Sequence, residues 1–320
     1  MVKSMREPTK TLALSTSMLI AGLLIGTFVL APTLLPNQGT AQQLFPQDSA
    51  WRHQSIRVVG STTVLPIANA CAIRFMELYN ATSITVEGGG SGRGYSELID
   101  GLCNIADASR KPKQSELDAA RQKGVTLILH EIAIDGIAVI VNPSVTEDLN
   151  GPLNLTLEEI GKIFAGVYSK WSEVKEGLPN KEIKVFVREP GSGTRATFEE
   201  FCMEPFGFEV KTGAAQVPSN PAMRQSIEQA HYSIGYVGLG FASNNVEVVH
   251  VARENGQPFY APTYENVKEG IYPLSRYLYM VTNGIPKSGS LTDRFIDFVK
   301  SPEGQKLVEQ CGYIAIYPKE

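Results

Sequence analysis

Two short runs constrain this chain more than anything else in it: Glu87-Gly88-Gly89-Gly90-Ser91-Gly92-Arg93 and Arg188-Glu189-Pro190-Gly191-Ser192-Gly193-Thr194-Arg195. Each follows a short β-type apolar run, Ile84-Thr85-Val86 and Ile183 to Val187, and each opens a segment whose apolar residues recur at helical spacing. A strand that ends in glycine and serine and turns directly into a helix leaves the first helical amides without intrahelical acceptors. Those amides converge on one spot, and the aligned peptide dipoles favour negative charge there. The two runs read as two halves of an anion clamp.

The rest of the pattern supplies a frame for such a clamp. Ile56-Arg57-Val58-Val59-Gly60, then Ser61-Thr62-Thr63, then apolar residues at Ile67, Cys71, Phe75 and Leu78 predict strand, polar turn and helix, with Pro66 tolerated in the first turn. Tyr95, Leu98, Ile99 and Leu102 form a helical stripe after the first glycine run. Ile105 to Ala108 then leads into another hydroxyl-bearing turn at Ser109-Arg110, expected to open a helix of its own. Val125 to Leu129 and Ile132 to Val141 read as two strands. Thr156 with Glu159 predicts a capping box for a helix that buries Leu157, Ile160, Ile163, Phe164 and Val167. Further helices are expected around Phe198, Phe201 and Cys202, around Met223, Ile227 and Ala230, and after Ser301-Pro302-Glu303, with a strand at Gly235 to Gly238. Strands alternating with helices favour an α/β fold with a largely buried sheet.

The N-terminal segment carries Lys3, Arg6 and Lys10, and then no charged residue from Thr11 to Gln47. Residues 1–36 read as a membrane-targeting element with a basic, inward-facing end. Its apolar stretch is long enough to span a bilayer, and Gly39-Thr40-Ala41 has the small-x-small pattern of a cleavage site. Anchor and cleaved signal both stay open, and both place the rest of the chain outside the cytoplasm. Residues 37–54 read as a spacer.

About 270 residues remain, enough for two lobes with separate cores. The whole chain carries 29 Lys plus Arg against 33 Asp plus Glu, a net charge of −4, which excludes a broad field for nucleic acid or anionic lipid. Any bound anion must be held by local donors. Cys71, Cys103, Cys202 and Cys311 are too widely spaced for a metal signature, and their pairing stays open. His53, His130, His231 and His250 form no metal-spaced pair. Neither Ser91 nor Ser192 sits in a Gly-x-Ser-x-Gly elbow, and neither glycine run continues as a Walker motif. No metal, cofactor or catalytic group is expected.

An oxyanion withdrawn from water needs many short donor contacts, because its desolvation is costly. The candidates are Thr62 and Thr63, Ser91, Ser109, and the run Ser192, Gly193 and Thr194, with Arg188 and Arg110 as guanidinium forks. Each has an ordinary structural explanation too. Ser61 to Thr63 suits a helix cap, the glycines suit a tight turn, Arg93 and Arg195 suit solvated surface positions, and Asp135 suits either a hinge network or a turn.

At these motifs the chain resembles the phosphate-binding proteins of ABC-type phosphate importers, a branch of the two-lobed solute-binding proteins. The likeness runs from Arg57 to Tyr317 and includes Gly60-Ser61-Thr62-Thr63, Gly88 to Gly92, Asp107-Ala108-Ser109-Arg110, Ile134 to Ala138, Arg188 to Thr194, Gly235 to Gly238, Tyr272 to Arg276 and Pro302 to Lys306. The resemblance implies a periplasmic-binding-protein-like fold of type II, two α/β lobes joined by a strand hinge. It is drawn as residues 55–134 with 236–320 in the first lobe and 135–235 in the second. It further implies high-affinity capture of inorganic phosphate on the periplasmic or external face of the membrane. Delivery would be to a permease served by a separate cytoplasmic ATPase. Phosphate contacts fall on Thr62, Thr63, Ser91, Ser109 and Arg110 of the first lobe and on Arg188, Ser192, Gly193 and Thr194 of the second. Family members with aspartate where this chain has Arg110 accept a phosphate proton there, so exclusion of sulfate or arsenate is less secure here. Contact of Arg110 with the anion is the expectation. A phosphate-ester hydrolase using the same cleft, or a binder of another tetrahedral oxyanion, is the alternative.

Overall fold

The structure, a computed structural model, describes Phe45, residues 50–79 and residues 83–317, all within one compact unit spanning 43–320. The expected targeting element at 1–36 lies outside the described residues. Among those described, no helix is long and apolar enough to cross a membrane.

The chain runs β1 (Ser55–Gly60), α1 (Leu65–Tyr79), β2 (Ser83–Glu87), α2 (Ser91–Ile99), β3 (Ile105–Ala108), α3 (Gln114–Gln122) and β4 (Leu127–Val141). It continues through β5 (Asn154–Thr156), α4 (Leu157–Ala165), α5 (Trp171–Val174), β6 (Lys184–Arg188), α6 (Gly193–Cys202), β7 (Ala215–Val217), α7 (Asn220–Gln229) and β8 (Ser233–Gly238). The last elements are β9 (Glu247–Val248), β10 (His250–Ala252), α8 (Tyr264–Lys268), β11 (Ser275–Asn283), α9 (Leu291–Lys300) and α10 (Pro302–Gln310). One curled sheet has the order β2-β1-β3-β11-β4-β8-β6-β7, with β9 also on β4, and β5 pairs with β10 separately. Each end of the sheet is parallel, β2-β1-β3 and β8-β6-β7, and the antiparallel strands β11 and β4 join them.

Both faces of each sheet end are covered, which is why the strands read as nearly continuous apolar runs. In the first half, Val58, Ile105, Leu278 and Met280 pack against Ile67, Cys71, Phe75, Phe295 and Phe298. Val59, Ala106 and Ala108 face the other way, onto Tyr95 and Leu98. In the second half, Ile137, Val139, Val185 and Val187 pack against Ile160, Phe164 and Phe198, while Ala138, Ile140 and Val237 meet Met223 and Ile227. β4 runs from one core into the other. The two stretches expected as separate strands are one strand, because a bulge between Leu278 and Tyr279 of β11 skips Ile132 and lets Ile132 and Ala133 both enter the first core.

Several local expectations shift. Packing begins inside the expected spacer: Phe45 and Trp51 are buried against Phe75 and Tyr79. Val249, Val251, Val267, Tyr272 and Leu274 join the second core, although the sequence division puts 236–320 in the first lobe. Leu102 is 61% and Val167 58% exposed, because α2 and α4 end first, the latter on the left-handed Gly166. The capping box of Thr156 and Glu159 is present at the start of α4. The four cysteines are free thiols.

Candidate anion-binding site

The candidate residues sit at the C-terminal ends of strands from both halves, where open α/β sheets form their crevices. Thr62 and Thr63 follow β1, Ser91 begins α2 just beyond β2, Ser109 follows β3, and Arg188 ends β6 ahead of Ser192, Gly193 and Thr194 at the start of α6. All are buried. Thr63 Oγ1 lies 3.0 Å from Thr194 Oγ1, so hydroxyls from opposite ends of the sheet touch. Ser91 Oγ lies 3.3 Å from Ser109 Oγ and accepts from the Ser109 amide at 3.1 Å. The glycine runs meet directly, the Gly92 amide donating to the Gly191 carbonyl at 2.9 Å. Gly193 backs onto the serine pair so closely that a Cβ there would lie within 3.0 Å of both Ser91 Oγ and Ser109 Oγ. Its amide and that of Thr194 are the first two of α6 and have no intrahelical acceptor.

Arg188 is 1% exposed and is held on all sides. Its Nε and Nη2 fork Glu189 at 2.9 Å each, Nη1 donates to Asn220 Oδ1 at 3.1 Å, and Nη2 also reaches Thr62 Oγ1 at 3.2 Å. The guanidinium spans from the second core to a hydroxyl of the first. Ser192 caps α6, its Oγ accepting from the Arg195 amide at 3.2 Å. Arg195 pairs with Glu199, and Arg93 joins a surface network with Glu87 and Glu97.

Arg110 is paired within its own half: its two terminal nitrogens fork Glu116 at 2.7 Å each and the guanidinium lies over the Tyr95 ring, while Nε has no partner among the described residues. Ser109 does not open a helix, since Pro112 delays the start of α3 to Gln114.

Two residues outside the expected contact set join the cluster. Asn220, the first residue of α7, donates from Nδ2 to Thr63 Oγ1 at 2.9 Å. Arg276 on β11 donates from Nη2 to Thr194 Oγ1 at 3.0 Å and Thr63 Oγ1 at 3.3 Å. It pairs with Asp135 of β4 at 2.7 Å where those strands lie in register. Asp135 therefore sits in a buried ion pair that joins β4 to β11. Burial favours its protonated form, while Arg276 and the Leu239 amide oppose that.

Asp107 is 1% exposed and neither carboxyl oxygen has a partner among the described residues. It shares the β3 face of Ile105, toward α1 and Cys71, and burial raises its pKa well above the usual carboxyl value. The unfolded chain ionises this group at about pH 3.9 while the folded chain keeps it protonated, so stability is complete below that pH and falls as pH rises toward the folded pKa. Asp107→Asn is expected to remove a loss of about 1.4 kcal/mol per pH unit over that window, read from urea melts of variant and parent at several pH values.

Similarity to known proteins covers most of the chain. The PBP superfamily domain matches residues 38–303. The phosphate-binding protein PstS of Pseudomonas aeruginosa is 29% identical over 276 residues, covering 82% of this chain and 83% of its own length. The protein of the same name from Bacillus subtilis is 28% identical over 306 residues, covering 93% and 94%. A Clostridium perfringens protein solved with phosphate bound is 30% identical and superposes with a TM-score of 0.70, over 82% of this chain and 100% of that one.

Proposed function

Because the chain belongs to the PBP superfamily and, within it, to the PstS-like phosphate-binding proteins, we propose that it captures inorganic phosphate outside the cytoplasm and delivers it to the permease of an ABC importer. ATP hydrolysis belongs to a separate cytoplasmic subunit, and the basic, apolar segment at 1–36 directs export or retains the protein at the membrane. The observation that carries the reading is the 3.0 Å approach of Thr63 and Thr194, which brings hydroxyls from the two halves of the sheet to one point.

In this reading the first half contributes Thr62, Thr63, Ser91 and Ser109, and the second contributes Arg188, the Ser192 hydroxyl, the Gly193 amide and Thr194. Arg110 orders the loop after Ser109 through Glu116. A ligand that contacts both halves favours the closed arrangement by the difference in its affinity for the two states. The boundary between lobes falls where β4 and β11 pass Asp135 and Arg276. Membership of Val249 to Leu274 in the second core supports moving the return crossing from 236 to about Ser275.

Calorimetric titration of phosphate into phosphate-stripped protein is expected to give one site per chain. Turnover of phosphate esters that disappears in Ser91→Ala or Ser192→Ala would transfer the cleft to a hydrolase, and absence of binding would end the reading.

A further inference from the structure

Resting on the phosphate reading and on closure of the two halves about β4 and β11, we infer that Arg276 is a positioning residue that couples capture to closure. It hands one hydrogen bond from Thr63 of the first half to Thr194 of the second as the halves meet. The place of the residue comes first. On β4, Ala133 packs in the first core and Ile137 in the second; on β11, Leu278 packs in the first and Leu274 in the second. Asp135 and Arg276 are paired in register between these residues, both buried, so their ion pair lies where both strands pass from one core to the other.

Asp135 is held from two sides. Its Oδ2 accepts from Arg276 Nη2 at 2.7 Å and Nε at 3.0 Å, and its Oδ1 accepts from the Leu239 amide at 2.9 Å. Each terminal nitrogen of a guanidinium carries two protons. One of those on Arg276 Nη2 is committed to Asp135, at the shortest of its contacts. That leaves one proton between two hydroxyls, Thr194 Oγ1 at 3.0 Å and Thr63 Oγ1 at 3.3 Å. The two stand on opposite halves, Thr194 in the first turn of α6 and Thr63 just before α1. In the arrangement seen, the shorter arm goes to Thr194, and Thr63 accepts at 2.9 Å from Nδ2 of Asn220, the first residue of α7.

Opening reverses the choice. Thr194 and Asn220 both belong to the second half and leave Thr63 together, which vacates its oxygen. Arg276 stays on Asp135, because that bond lies within the sheet and the strand beyond Arg276 is fixed in the first core through Leu278 and Met280. The freed proton then passes wholly to Thr63. Arg276 therefore has acceptors in both arrangements, and a buried donor without one is unfavourable. Its bond to Thr194 exists only when the halves meet, so it favours the closed state alone and holds the Thr194 hydroxyl in place for phosphate.

The test is a double-variant cycle read by calorimetry of inorganic phosphate. Arg276→Lys keeps a cation for Asp135 but loses the planar fork that aims a second donor at Thr194. It is expected to weaken phosphate binding about tenfold in the parent and less than about twofold in a Thr194→Val background, where the hydroxyl it acts through is already gone. No loss in the parent, or equal losses in both backgrounds, would overturn the inference while leaving the phosphate reading standing. A crystal structure of the phosphate-free parent tests the handover without any substitution. It is expected to show Arg276 still on Asp135, with Nη2 within about 3.2 Å of Thr63 Oγ1 and Thr194 out of reach. A broken Asp135 pair, an Arg276 that travels with Thr194, or halves that stay closed without phosphate would overturn the inference as well. Absence of phosphate binding by the parent would overturn both readings.

Discussion

Gly193→Ala is expected to weaken phosphate binding at least about a hundredfold, or about 2.7 kcal/mol, without lowering the melting temperature of the ligand-free protein. The added methyl would lie within 3.0 Å of Ser91 Oγ and Ser109 Oγ and 3.1 Å from Ser91 Cβ. Neither serine can swing aside, since Ser91 Oγ already holds the Ser109 amide and both side chains are fully buried. Relief requires the start of α6 to back away from the start of α2. That movement breaks the bond from the Gly92 amide to the Gly191 carbonyl and lengthens the contact of Thr63 with Thr194. Donors placed for one anion lose their alignment together, and hydrogen bonds weaken steeply with angle and distance. If the ligand-free halves stand apart, as ligand-driven closure requires, the methyl is clear of the serines, and alanine at the first position of a helix is at least as stable as glycine. Loss of affinity with unchanged or raised stability separates this effect from misfolding. Calorimetry and thermal melts on the same preparation read both.

Arg188→Ala is expected to cost about 4 kcal/mol of phosphate affinity, near a thousandfold, with the loss only weakly sensitive to salt. The guanidinium is 1% exposed, so its charge acts at short range with little screening. It also fixes Asn220 and reaches Thr62, so its removal frees Asn220 to turn and takes a donor from Thr62 Oγ1. Glu189 is left without its fork and adds an uncompensated negative charge near the anion. Arg188→Lys restores the charge but not two parallel donors, and is expected to recover only part of the loss. Titrations at low and high salt check the magnitude and the screening together.

Much of this site was legible because strand ends, glycines and hydroxyls are local signals. Thr62, Thr63, Ser91, Ser109, Arg188 and the Ser192 to Thr194 run each stand beside a strand end readable in a few residues, and the structure brings them together. What was not legible depends on pairings distant in sequence. Asn220 lies in Ser219-Asn220-Pro221, where a helix start explains it fully, and only the fold sets it against Thr63, 157 positions away. Arg276 stands among tyrosines of an ordinary strand, and its partner Asp135 lies 141 residues earlier on the strand beside it. Nothing local announces that Glu116, beyond the Lys-Pro-Lys bend, takes the fork of Arg110. The single β4 strand was hidden by polar His130 and Glu131, which sit at the partly covered stretch before the bulge. Apolar spacing continues through Leu102 and Val167, past the residues that terminate their helices, so it does not mark the helix ends.

A crystal structure of the phosphate-loaded protein tests the central claim most directly. The account predicts one anion with oxygens about 2.7–3.2 Å from donors of both halves, Thr62, Thr63 or Ser91 on one side and Arg188 with the start of α6 on the other. An anion held by one half alone, or seated away from this cluster, would contradict it.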